Sequence, residues 1–281
     1  MPEGPEIRRA ADAIERAIAH QPLIEVFFAF DRLKPYEATL QSDRIFAVQT
    51  YGKAMLIRFE NELNIYSHNQ LYGIWMVRKA GSLPTTKRQL RLAIHTPKQS
   101  ALLYSASDID VLPNDALATH PFLQRIGPDV LDLVVDEATV AARFLDKRFA
   151  RRRLPSLLLD QGFLCGLGNY LRSEVLFVAG VHPTLRPVDC SPEQILALAK
   201  AAIAITRQSY QTGGITNDLA RVEELKARGD RRSQYRHHVF GREGKPCYQC
   251  STPIRKEMLA GRRLYYCPVC QPLPGLSLID K

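Results

Sequence analysis

The sequence predicts an α+β chain built in successive modules: an N-terminal helix, a β-sandwich or barrel, a helical module and a small cysteine-bound hairpin. Three observations carry this reading. Short β-rich segments crowd residues 23–106, the apolar spacing lengthens from two to a helical period near residue 133, and four late cysteines form two C-x2-C pairs. A chain of 281 residues can bury one or two ordinary cores without disulfide staples.

Residues 5–20 open the chain as a helix. Pro5 suits a first turn, Glu3 and Glu6 sit where the helix dipole favours acids, and Ile7, Ala11, Ile14 and Ile18 recur on one face. The segments LIEVFFAF, RIFAVQT, AMLIRFE, LNIYSHN, GIWMVRK, QLRLAIHT and SALLYSA follow, separated by stretches containing Gly, Pro, Asn or charges, so seven or eight strands are expected. Beyond IGPDVLDL the spacing turns helical, with Asp136 as N-cap and Val140 and Phe144 on one face. Helices are also expected near 155–161, 169–179 and 191–210, the last opened by the capping box Ser191-Pro192-Glu193-Gln194. Residues 213–235 are dense in charge and show no clear period, which reads as a mobile linker.

A hydrophobic content of 46% with 24% charged residues is that of a globular protein, and no apolar run approaches the roughly 18 residues of a membrane span. The N-terminus carries acids and lacks an apolar core, so neither a secretory nor a transit signal is read there, and the expected compartment is the cytoplasm. The net charge of +9 favours a polyanionic partner. Between Arg221 and Arg263 stand twelve lysines and arginines against five acids, so the basic bias is local. Such a run alone is equally a solvated face.

Cys247, Cys250, Cys267 and Cys270 form C-x2-C-x16-C-x2-C, the spacing of two knuckles that give four thiolates to one tetrahedral zinc. Two disulfides or unrelated thiols are the alternative. Four protein ligands leave zinc no open position, so the metal would hold a hairpin and do no chemistry; no organic cofactor is expected. Arg255, Lys256, Arg262 and Arg263 lie between the knuckles, where a rigid hairpin could offer them to phosphate. Cys165 and Cys190 read as ordinary core thiols.

PEGPEIRRA at the N-terminus, YGKAML around Lys53, SHNQLYG at 67–73, HPFLQRIGPDVLD at 120–132, GLGNYLRSE at 166–174 and VFGREGKPC before the cysteines together resemble the formamidopyrimidine-DNA glycosylase/endonuclease VIII family over roughly residues 2–271. PEGPEI and NQLYG resemble its bacterial endonuclease VIII branch more than the purine-directed one. The resemblance implies a β-sandwich with an N-terminal helix (2–132), a helix-two-turns-helix DNA-binding domain with the linker (133–235), a zinc finger (236–271) and a tail (272–281), with DNA crossing the cleft between domains. It implies base-excision repair: removal of oxidised bases, pyrimidines first, from damaged double-stranded DNA, followed by strand cleavage. A monomer, associated with the nucleoid of a bacterium, is expected.

Such chemistry needs a neutral amine to attack C1′ of the deoxyribose. An α-amine titrates at about 7.7–8.0 and lysine at about 10.4, so at pH 7 roughly a tenth of the former and under about one in a thousand of the latter is neutral. By resemblance the nucleophile is Pro2 after loss of Met1. A secondary amine leaves a fixed positive charge on its C1′ adduct, an electron sink for β- and then δ-elimination. Glu3 is assigned the role of general acid and Glu6 that of proton relay, although acids in a first turn commonly serve only the helix dipole.

Lys53, after Tyr51-Gly52 in an expected hairpin turn, would bind the phosphate beside the lesion; a lone turn lysine is otherwise simply solvated. Asn169, following Gly166 and Gly168, would grip phosphate at a helix N-terminus, a role compatible with capping that helix. Arg262 matches the finger arginine, with Arg263 as the adjacent register. Gln70, Leu71 and Tyr72 match a wedge that fills the stack when a base is flipped out, the plain alternative being a turn with a buried Leu71. Two rivals stay open: a purine-directed formamidopyrimidine/8-oxoguanine glycosylase, and a non-catalytic zinc-ribbon DNA-binding protein.

Overall fold

The computed structural model describes residues 2–273; Met1 and all but the first two residues of the expected tail lie outside them. The chain divides after Ile126 into two compact units. The first opens with α1 (Gly4–Ile18), whose stripe of Ile7, Ala11, Ile14 and Ile18 is buried as its spacing requires. Each isoleucine taken out of water contributes roughly 1.5–3 kcal/mol, far more than helix propensity over the same length, so α1 is fastened by that stripe.

Eight strands follow: β1 (Glu25–Phe28), β2 (Ile45–Tyr51), β3 (Ala54–Phe59), β4 (Leu63–His68), β5 (Ile74–Lys79), β6 (Leu90–His95), β7 (Gln99–Tyr104) and β8 (Asp108–Pro113). They make two four-stranded sheets, ordered β1-β6-β7-β5 and β2-β3-β4-β8, with every neighbouring pair antiparallel. One core joins α1 to inward residues of both sheets, among them Val26, Phe28, Ile94 and Leu103 from one and Ile45, Ile57, Phe59 and Ile65 from the other. The expected β-sandwich with an N-terminal helix is thus present. Short helices α2 (Glu37–Gln41) and α3 (Asn114–Leu117) lie in the connections of this unit.

The second unit contains α4 (Glu137–Leu145), α5 (Leu154–Leu157), α6 (Asn169–Val178) and α7 (Pro192–Gln211) around a core that includes Val140, Phe144, Leu171, Val175, Leu198 and Ala202. Asp136 caps α4 by accepting the Thr139 N–H at 2.8 Å, and the Ser191–Gln194 box opens α7. The helix expected near 155–161 is a single turn, because Asp160 leaves the helical path to accept the Gly162 N–H and to pair with Arg152.

The 213–235 segment, read as a linker without regular structure, contains α8 (Leu219–Ala227) and α9 (Arg232–Tyr235). Asp218 caps α8 through the Arg221 N–H at 2.9 Å. In α8 only Val222 and Leu225 are buried, too few apolar positions for a visible period among so many charges. The unit closes with a hairpin of β9 (Arg255–Leu259) and β10 (Arg262–Tyr266). Its two-residue loop, Ala260 and Gly261, has φ of 54° and 69°, as a type I′ turn demands.

Candidate active site

The first unit carries the candidate nucleophile. The residue ahead of α1 is Glu3, which is 2% exposed. Its backbone N–H donates to the Glu6 carboxylate at 3.0 Å, and Glu6 also pairs with Arg9 at 3.4 Å. Glu6 therefore serves the helix start, the structural role its position suggested, and in doing so fixes the backbone that carries Pro2. Pro2, Ile7, Lys53, His68, Asn69 and Gln70 line one pocket.

Lys53 reaches that pocket because β2 and β3 are joined by a two-residue turn, Gly52-Lys53, with Gly52 at φ 60°. Only 7% exposed, Lys53 is not the solvated turn lysine of the plain reading. Beside it His68 is half-buried, and burial together with the Lys53 charge holds its imidazole below the ordinary range, against the opposing pull of Asp108. Next in the chain, Leu71 and Tyr72 are 60% and 71% exposed, so the alternative of a turn with a buried Leu71 does not hold. Two apolar side chains projecting from a turn have the form of a wedge.

The second unit carries the candidate phosphate contacts. Gly168, and not Asn169, occupies the N-cap position of α6, so Asn169 does not also cap that helix. Asn169 is the first helical residue, at the positive end of the α6 dipole. Arg262 and Arg263 are exposed at the start of β10.

Sequence reasoning missed the residues that hold these contacts together. Arg172, wholly buried one turn beyond Asn169, donates to the carbonyls of Pro155, Leu259, Arg262 and Arg263 at 3.0–3.3 Å. A guanidinium with a fixed fork of donors suits this clamp, which seats the hairpin turn on α6. Glu174, also wholly buried, accepts from the N–H groups of His238, Val239 and Phe240 at 2.8–2.9 Å and from the Thr216 hydroxyl at 2.5 Å. Burial pushes its carboxyl up, but the neighbouring His237 and His238 and these donors outweigh that and hold it below the usual range. Gln271 ties the far end of the finger to the Val181 carbonyl at 2.9 Å. An arginine and a glutamate inside the largely apolar run YLRSEVLFV were the available signal.

The four finger cysteines place their sulfurs within 4.8 Å of one another, with neighbouring pairs at 3.4–3.8 Å. Four thiolates on zinc at about 2.3 Å have sulfurs ~3.8 Å apart, so the set fits a tetrahedral zinc. One structural zinc belongs here. Its ligands rigidify the hairpin that presents Arg262.

Comparison with known proteins agrees with both units. Residues 1–107 match the formamidopyrimidine-DNA glycosylase N-terminal domain, residues 126–220 the H2TH domain of the same enzymes, and residues 244–273 a zinc finger found in FPG and IleRS. Endonuclease 8 of Escherichia coli K12 is 48% identical over 271 residues, covering 96% of this chain and 100% of the relative; that of Enterobacter sp. strain 638 is 47% identical over the same span. In fold the chain is similar to Lactococcus lactis formamidopyrimidine-DNA glycosylase bound to DNA with an AP site. The TM-score is 0.80 at 21% identity, with 96% of this chain and 100% of the other covered. A complex of that enzyme with oxidised-pyrimidine DNA gives 0.79 at 22% identity, with 97% and 100% covered.

Proposed function

The chain belongs to the formamidopyrimidine-DNA glycosylase family, with endonuclease 8 among its relatives, and is a base-excision-repair DNA glycosylase and AP lyase; from that premise we propose that it removes oxidised pyrimidines through a Schiff base on the amine of Pro2. The observation that carries the reading is Pro2 and a buried Glu3 at the head of α1, with Pro2 in one pocket with Lys53. The Pro2 nitrogen attacks C1′ and the bond from C1′ to the base breaks; the amine then loses its proton and the C1′–O4′ bond breaks, opening the ring to an iminium, with Glu3 supplying a proton to the sugar ring oxygen or the departing base. The resulting iminium draws electrons as a proton leaves C2′ and the C3′–O bond breaks. Loss of a C4′ proton and the C5′–O bond follows, with Glu6 relaying protons. Lys53, Asn169 and Arg262, with Arg263 beside it, neutralise phosphates, while Gln70, Leu71 and Tyr72 fill the vacated stack.

Damaged double-stranded DNA is the partner of this reading, engaged by a monomer at the nucleoid. Among the described residues no helix is long and apolar enough to cross a membrane. Excision measured on paired oligonucleotides carrying an oxidised pyrimidine or 8-oxoguanine tests the substrate class. The pyrimidine should be preferred by at least about tenfold, ~1.4 kcal/mol in transition-state binding. The reverse ratio would make the enzyme purine-directed.

Arg262→Ala should weaken binding to all DNA sequences and lower the slope of log affinity against log salt by about 1, the loss of one phosphate contact. Fluorescence-anisotropy titrations at several salt concentrations measure both. An unchanged slope places Arg262 away from DNA.

A further inference from the structure

Residues 69–73 form a turn held from several sides. The Gly73 N–H donates to the Asn69 carbonyl at 2.7 Å. A Cβ at Gly73 would lie 2.6 Å from that same oxygen, so glycine alone closes the turn. Ser107 donates to the Gln70 side-chain oxygen at 2.9 Å, and Arg88 to the Tyr72 carbonyl at 2.6 Å. Within the turn Gln70 has φ of 49°, a left-handed conformation that a residue with a side chain keeps only where its surroundings impose it.

The group that meets the Gln70 backbone is His68: its Nδ1 accepts the Gln70 N–H at 3.1 Å. His68 ends β4 directly opposite Asp108 of β8, and its ring packs on Phe122 with centroids 5.4 Å apart. The charged groups facing it are Lys53, from the β2–β3 turn, and Asp108, from β8; burial and Lys53 keep the ring neutral at neutral pH. A neutral ring whose Nδ1 accepts carries its proton on Nε2, so Nδ1 stays available to Gln70.

We propose that His68 is a positioning residue of the wedge: its Nδ1 fixes the left-handed backbone of Gln70 and so projects Leu71 and Tyr72 into solvent before DNA arrives. A wedge ordered in advance avoids the ordering cost on binding. The inference rests on the reading of residues 70–72 as the wedge, and it adds the residue that aims them.

His68→Leu and His68→Asn test it. Asparagine can accept the N–H two residues on in an Asx-turn, but brings no second ring nitrogen to the pocket. Excision of an oxidised pyrimidine is measured on duplex and on single-stranded DNA, with 2-aminopurine next to the lesion reporting insertion of the wedge. His68→Leu should lower the duplex-to-single-strand ratio by about 3- to 10-fold, the weight of one hydrogen bond, and slow the fluorescence change. His68→Asn should restore both.

If His68→Asn is as impaired as His68→Leu, or if both substrates lose equally, the inference is overturned. Should His68→Leu not fold, judged by its thermal melt, His68→Ala takes its place. Leu71→Ala in the same assay separates the two levels. If Leu71→Ala leaves the ratio unchanged, the wedge reading itself fails; if it lowers the ratio while His68→Leu does not, only the role of His68 fails.

Discussion

Glu3→Gln will lower base excision by roughly 10²–10⁴-fold, the usual weight of a positioned general acid, while cleavage at a preformed abasic site falls far less. Glutamine keeps the size and hydrogen-bonding shape of the side chain buried at the head of α1, so the start of the helix and the position of Pro2 are preserved. What the amide lacks is the proton that the departing base or ring oxygen must receive. At an abasic site the base has already left, so that proton is needed only once the amine attacks the opened sugar. Single-turnover rates on the two substrates separate these steps. Equal losses on both, or no loss on either, would reduce Glu3 to a structural residue and remove the general acid from the mechanism.

How much of this was legible depended on how local the cause was. The stripe on α1, the Asp136 cap and the Ser191 box are decided within one or two turns of chain, and their periods and caps could be read directly. The zinc site was equally plain, because four ligands of one type at fixed spacing leave few other uses for themselves. The strand at Asp108–Pro113 was less visible. Its alternation of Asp108 and Asp110 with Ile109 and Val111 is short and half acidic, and its place at the edge of a sheet lets those acids face outward.

The clamp around the finger left almost no trace in the sequence. Arg172 meets carbonyls about 90 residues away, and Glu174 meets backbone N–H groups 64–66 residues away. A side chain bonding to a distant backbone constrains no residue type at the other end, so no spacing pattern marks it. The same holds for the turn at residues 69–73. The motif SHNQLYG suggested the exposed pair Leu71 and Tyr72, but the support from Arg88 and Ser107 comes from other loops. The assigned roles of Pro2, Lys53, Asn169 and Arg262 came from resemblance; the physical chemistry of a secondary α-amine gave only Pro2 an independent argument.

That amine can be tested without touching any other residue. In mature protein beginning at Pro2 the nitrogen is a secondary amine with a free lone pair; behind a residue that cannot be processed off, it becomes an amide whose lone pair is delocalised into the carbonyl. Both proteins are incubated with abasic DNA and borohydride, and the covalent protein–DNA adduct is quantified on a denaturing gel. The mature protein should be trapped, and the extended protein should give no adduct. Full trapping of the extended protein would contradict Pro2 as nucleophile and transfer the role to a lysine, first to Lys53, which lines the same pocket.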